Sequence, residues 1–257
     1  MTYTIAITGK GGTGKTAIAA MLIKHLVERD AGVVLAVDAD ADTNLAEVLG
    51  IEVEKTVGDM RELMLENISN LPPDTNKQSL FQSKLYEAVE EFKGYDLLVM
   101  GRPDGPGCYC YVNNLLRGIM DKAIRNYEFV VIDTAAGLEH MSRRIIRDID
   151  ALIVVSDGSR RGIGTAERIR ELTSSLNLNV KHLYLVLNKV REETRAELER
   201  VASELSLDIL GAVPFDEHIA ELDLLGKPLE DMDGSIAFER VKDMVEKLLS
   251  EREKGLA

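Results

Sequence analysis

Two short stretches of this chain carry residue types whose spacing could do chemistry. The first, GKGGTGKT from Gly9 to Thr16, satisfies G-x-x-x-x-G-K-[ST] and directly follows the strand-like run TIAIT. Glycines there let backbone N–H groups close around phosphate oxygens, and the positive end of a following helix adds to the attraction. Lys15 can reach the β- and γ-phosphates of a nucleoside triphosphate, and Thr16 can hold Mg²⁺. The set expected to contact the nucleotide here is Gly9, Lys10, Gly11, Gly12, Thr13, Gly14, Lys15, Thr16 and Ala17. A glycine-rich turn with no ligand is the plainer alternative, and the strand, loop, helix context argues against it. The second stretch, GRPDGPGCYCYVNN at residues 101–114, holds the only two cysteines of the chain, Cys108 and Cys110.

Something must hold both stretches in place. Short apolar runs rich in β-branched residues recur along the chain: TIAIT, VVLAVD, YDLLVM, FVVID, ALIVVSD, LYLVLN and DILGAVP. Runs of this kind predict strands buried on both faces. Segments of helical spacing lie between them, as in Ile18, Leu22, Leu26 and in Phe238, Val241, Val245, Leu248. The alternation predicts an α/β fold: a mostly parallel sheet flanked by helices on both faces, with ligands outside the carboxyl ends of the strands. Residues 51–93 break the rhythm, and LPPDTNKQ within them suggests an excursion over the surface. The 257 residues show no internal repeat or linker, so a single P-loop NTPase domain over 1–257 is expected.

Composition narrows the partners. Hydrophobic residues make up 45% and charged residues 29%, as in ordinary globular proteins. The formal net charge of −13 repels nucleic-acid backbones and anionic lipid, so neither nucleic acid nor membrane is an expected partner. No basic, apolar leader precedes the first strand and no apolar run approaches membrane-spanning length, which points to the cytoplasm.

Asp133 ends the apolar run FVVID, where a carboxylate can hold magnesium through water; a helix-capping aspartate is the alternative. The TAAG that follows brings Gly137 toward the γ-phosphate. Lys10 is a departure, because Lys15 already serves the phosphates. With KGGTGK at Lys10 to Lys15 the chain resembles the deviant Walker A ATPases, the family of MinD, ParA and the nitrogenase iron protein. The resemblance implies that two subunits close face to face and that Lys10 crosses to the other subunit's nucleotide, joining Lys15 as a catalytic lysine. It extends to VDADADTNL at residues 37–45. There it implies that Asp40 positions the attacking water, with Asp38 beside it at the magnesium ion. Phosphoryl transfer suits such a set, since it needs charge stabilisation and an oriented water more than covalent help. An exposed acidic turn is the plainer account of DADAD.

The base can be argued as well. LNKV, Leu187 to Val190, is similar to the NKxD motif of GTPases, but Arg191 stands where the guanine-reading aspartate would be, which favours adenine and hence ATP. By family resemblance Asn188 and the VPFDE loop, with Pro214 and Asp216, should face the base. An asparagine ending a strand is as often a turn residue.

The two thiols sit in a Gly/Pro-rich loop after YDLLVM, so they leave the same sheet edge as the phosphate loop. Two cysteines one residue apart make an awkward disulfide ring, and cytosolic thiols stay reduced. Thiolates bind Ni²⁺ or Zn²⁺, and a closed thiolate site wants four ligands, which two copies across a two-fold axis could supply. GRPDGPGCYCYVNNLLR resembles the signature of the CooC-type nickel-insertion ATPases. That resemblance implies a homodimer formed on ATP or metal binding, and ATP-driven delivery of nickel to the nickel-iron-sulfur cluster of its client, carbon monoxide dehydrogenase.

Related functions separate on residues. The iron protein of nitrogenase bridges its cluster with two cysteines far apart in sequence, whereas TAAGLEH follows Asp133 here. Partition ATPases need a basic DNA surface, and division-site ATPases a basic membrane helix. The C-terminal FERVKDMVEKLLSEREKGLA balances five basic side chains with five acidic ones and reads as a docked core helix. His140, just past the second switch, is more readily a surface residue than a ligand. An ATP-dependent iron-sulfur carrier or reductase, and a non-catalytic ATP-switched regulatory partner, remain alternatives.

Overall fold

A strand buried on both faces must send alternate side chains into two apolar layers. Strand β1 (Tyr3–Gly9) does so: Ile5 and Ile7 enter one layer and Ala6 the other. The computed structural model describes residues 1–67, 76–101, 120, 122–136, 148–229, 232 and 234–256. The expectations placed on Cys108, Cys110, Gly137 and His140 fall outside them.

The other strands are β2 (Val34–Ala39), β3 (Val89–Phe92), β4 (Tyr95–Val99), β5 (Phe129–Thr134), β6 (Asp148–Asp157), β7 (Asn179–Val190) and β8 (Asp208–Pro214). They form an eight-stranded sheet in the order β3-β4-β2-β5-β1-β6-β7-β8. The β3–β4 pair is antiparallel and the remaining neighbours are parallel. Every strand expected from its apolar run is present, and β3 was not foreseen.

Helix α1 (Lys15–Glu28) starts where Gly14 takes φ 88, and the chain turns off after it at Asp30, φ 54. Its Ile18, Leu22 and Leu26 are buried against one sheet face. The short α2 (Asn44–Val48) lies on the same face through Leu45 and Ala46. Helices α3 (Val57–Asn67) and α4 (Lys77–Tyr86) lie within the stretch expected to run over the surface. That expectation needs correction. Val57, Met60, Leu85 and Ala88 are buried in the core layer on the opposite face, and the stretch also supplies the edge strand β3. Its spaced apolar residues sit among charges, as a layer covering one sheet edge requires.

The same face is completed by α5 (Arg160–Ser175) and α6 (Glu192–Glu204), through Ile163, Ala166, Ile169, Leu198, Val201 and Ala202. After β8 come α7 (Glu217–Leu224) and α8 (Ile236–Leu256). Phe238, Val241, Val245 and Leu248 of α8 are buried beside α1. Each such side chain is worth about 1.5–3 kcal/mol on burial, enough to keep the helix docked on its own protein. Among the described residues no helix is long and apolar enough to cross a membrane.

Register places the chemistry before any side chain is considered. Asp38 and Asp133 are direct partners across β2 and β5, so their carboxyls share one level of the sheet. Gly9 pairs with Val155, and Asp157 with Asn188, bringing the ends of β1, β6 and β7 to the same edge.

Candidate functional site

The loop between β1 and α1 is built to leave its backbone donors open. Gly14 caps α1 and has no side chain that could occupy the first N–H groups of the helix. A Cβ on Gly14 would lie 2.4 Å from Asn188 Nδ2, whereas one on Gly11 or Gly12 would meet nothing within 4 Å. Glycine is thus needed at Gly14 to let β7 approach, and Gly11 and Gly12 form the open side of the cradle. The Thr13 hydroxyl donates to the Lys10 carbonyl at 2.8 Å, which closes the loop on itself. The Lys10 side chain is exposed at the rim, while Lys15 is buried beneath it, 8% exposed.

Asn188 fixes this loop from β7. Its Nδ2 donates to the Thr13 carbonyl at 2.8 Å and its Oδ1 accepts the Lys189 N–H at 2.9 Å. Expected to face the base, Asn188 does line the cleft, but its amide is engaged with the loop. Sequence reasoning missed this because nothing in LNKV shows which element the asparagine packs against.

The acidic half of the site lies at the ends of β2 and β5. Asp38 is fully buried; its Oδ1 accepts the Asp40 N–H at 3.1 Å, and its Oδ2 accepts those of Leu45 at 2.9 Å and Ala46 at 3.4 Å. It therefore ties the Asp40 turn and the start of α2 to the sheet. Burial raises its pKa to about 6, against the pull of those N–H groups. Asp38, expected beside Asp40 at the magnesium ion, has its oxygens engaged with backbone N–H groups. Asp40 lies just outside it, its Oδ1 accepting the Asp42 N–H at 3.3 Å.

Asp133 differs. It is 1% exposed, and its Oδ1 has no hydrogen-bond partner. Burial pushes its pKa to about 7; the Thr16 hydroxyl and Lys15 pull it down, and Asp38 and Asp40 push it up. A buried carboxylate with one oxygen lacking a donor, beside Thr16 and close to Asp38 and Asp40, suits a hard cation. Raised folded-state pKa values mean that both buried groups lose stabilising free energy as pH climbs from about 4 toward neutrality, an effect a bound cation would offset.

Gly11, Gly12, Lys15, Thr16, Asp40 and Asn188 line one cleft of about 690 Å³, within the range of small-molecule sites. Its phosphate end is formed by the loop, Asp40 and Ala135, and its far end by Pro214, Phe215, Asp216 and α7. Asp216 is not free to read a base. Its Oδ1 accepts the N–H groups of His218 and Ile219, at 3.0 and 3.2 Å, starting α7. Its Oδ2 accepts the Ser235 hydroxyl at 2.8 Å and the Ala237 N–H at 3.1 Å, starting α8. One carboxylate thus caps two helices. Burial would raise its pKa, but the Ala237 N–H, the Ser235 hydroxyl and the two α7 N–H groups together hold it below the usual range. Asp216→Asn, which can accept on one side only, is expected to cost about 2 kcal/mol in urea unfolding. A depressed carboxylate stabilises above the unfolded pKa of about 4 and loses that contribution as pH falls through its folded value, so the gap from wild type should close in acid. A gap that persists there would show that the cap is not the cause.

An uncapped glycine loop feeding a helix, a buried lysine and a buried acidic pair at one edge of a parallel sheet define a P-loop nucleotide-binding protein. The chain belongs to the CobQ/CobB/MinD/ParA nucleotide binding domain family, whose pattern matches residues 4–229. It is 47% identical over 251 residues to an uncharacterized ATP-binding protein of Methanocaldococcus jannaschii, covering 96% of this chain and 99% of that one. To the carbon monoxide dehydrogenase accessory protein CooC of Rhodospirillum rubrum it is 32% identical over 245 residues, 89% of each. The septum site-determining protein MinD of Pyrococcus horikoshii, solved with Mg-ADP, shares the fold with a TM-score of 0.67 at 22% identity, over 96% of each chain. Nucleotide binding is thus a property of the family to which this chain belongs.

Proposed function

We propose that this protein is a Mg²⁺-dependent ATPase that closes as a homodimer, binds a metal ion between its subunits and delivers nickel to carbon monoxide dehydrogenase. The observation that carries the ATPase is the orphaned oxygen of buried Asp133 beside Thr16 and Lys15. Thr16 and Asp133 would hold Mg²⁺, which when bound supplies positive charge at the β- and γ-phosphates. Asp38 supports that set by fixing the turn that carries Asp40. Lys15, Gly11, Gly12, Thr13 and the open N–H groups of α1 bind and orient the triphosphate. Asp40 orients a water whose oxygen attacks the γ-phosphorus as the bond to the β-γ bridging oxygen breaks, giving ADP and phosphate. Lys10, exposed at the rim, would reach a second subunit's nucleotide.

The metal reading is supported by the Cys108 and Cys110 spacing and by 32% identity to an accessory protein named for carbon monoxide dehydrogenase. Each chain has two thiols to give, and a closed thiolate site needs four. Dimer closure is the step that would complete it.

Two variants test the ATPase half. Asp40→Ala should bind ATP like wild type yet turn over on the order of 100-fold more slowly, accumulating a closed dimer in sedimentation. Lys10→Ala should bind nucleotide and stay monomeric with ATP. Wild-type turnover in the first, or a full ATP dimer in the second, would remove those assignments.

A further inference from the structure

Phe215 stands at the nucleoside end of the cleft with 50% of its surface open to water. An exposed aromatic ring presents a flat apolar face that a planar ligand covers best. The loop that carries it is held: the Phe215 N–H donates to the Val190 carbonyl at 3.3 Å, and the neighbouring Asp216 is anchored to two helices. The ring is therefore presented from fixed backbone.

Two side chains beside it that could read the edge of a base, Asn188 and Asp216, are committed elsewhere. Asn188 spends its Oδ1 on Lys189 and a donor on Thr13. Both Asp216 oxygens are taken by helix caps, so Asp216 has no free acceptor to offer the edge of a base. Next to Phe215 this end of the cleft offers a nucleobase a ring face, with apolar Ile219 and Ala17 on the same walls and the exposed carboxylate of Asp223 farther along α7.

We infer that Phe215 stacks on the base of the bound nucleotide, so that the cleft grips the nucleoside by its face more than by its edge. The inference rests on the nucleotide-binding function of the site. Stacking on an aromatic ring is tolerant of base identity, because every base has a π-face. Loss of the ring should therefore weaken adenine and guanine nucleotides alike and spare a ligand with no base.

Calorimetry with ADP, GDP and inorganic tripolyphosphate, each with Mg²⁺, separates these cases. Phe215→Ala should bind ADP and GDP on the order of tenfold more weakly, with their ratio unchanged and tripolyphosphate affinity unaltered. The chain has no tryptophan, so Phe215→Trp places a single reporter at the position. Its fluorescence should change on saturation with ADP and not with tripolyphosphate. Unchanged ADP affinity in Phe215→Ala, an equal loss for tripolyphosphate, a shifted ADP-to-GDP ratio, or a tryptophan blind to bound ADP would each overturn the stacking role. Failure of the wild type to bind either ADP or tripolyphosphate would instead overturn the nucleotide site, and the inference with it.

Discussion

Lys15→Ala is expected to abolish productive ATP binding while leaving the protein folded. Lys15 is buried under the loop, 8% exposed, on the first turn of α1 and close enough to Asp133 to lower its pKa. Among the described residues Lys15 is the buried lysine of the cleft, whereas Lys10 lies exposed at the rim and Lys189, also exposed, reaches the Gly12 carbonyl. Removing Lys15 leaves the triphosphate beside Asp38, Asp40 and Asp133 without the buried lysine charge that offsets them. Losing charge-assisted bonds to two phosphates should weaken ATP on the order of 100-fold or more, read by calorimetry with circular dichroism as the folding control. An affinity within a few-fold of wild type would mean that the phosphates do not lie where the loop places them.

The second large effect belongs to the thiols. If Cys108 and Cys110 of two chains complete one site, wild-type protein should retain one Ni²⁺ or Zn²⁺ per two chains in equilibrium dialysis, and the Cys108→Ser, Cys110→Ser variant none. By linkage, whatever closes the dimer must tighten the metal by the same factor that the metal tightens closure, so ATP and metal should each raise the other's apparent affinity. Affinity should also fall steeply in acid, because each thiol must lose its proton to ligate. One metal per chain, or retention by the variant, would eliminate a shared site.

The strands of this fold were legible because each is buried on both faces, and an apolar run such as FVVID admits little else. Strand β3 was hidden. VEEF carries two glutamates that an edge strand facing water tolerates, and it is held by an antiparallel ladder to β4 across the turn at Gly94. At the site, the glycine loop and Asp133 could be read from spacing because the chemistry they serve constrains that spacing. The work of Asn188 and Asp216 could not. Asn188 meets Thr13 across 175 positions of sequence, and Asp216 reaches 19 and 21 positions onward to Ser235 and Ala237. Such contacts depend on which elements become neighbours, which periodicity does not encode. Phe215 was overlooked for a related reason: a phenylalanine after a strand looks like core, and only the fold leaves it facing a cleft.

The central claim is that ATP hydrolysis moves a metal from the shared thiolates to a client. Its most direct test loads the wild-type dimer with Ni²⁺, removes free metal and mixes it with nickel-free carbon monoxide dehydrogenase, with client activity as the readout. Activity should appear with ATP, stay near background with a non-hydrolysable analogue, and be absent with the Cys108→Ser, Cys110→Ser variant. Full client activity with the analogue, or with the variant, would contradict the account.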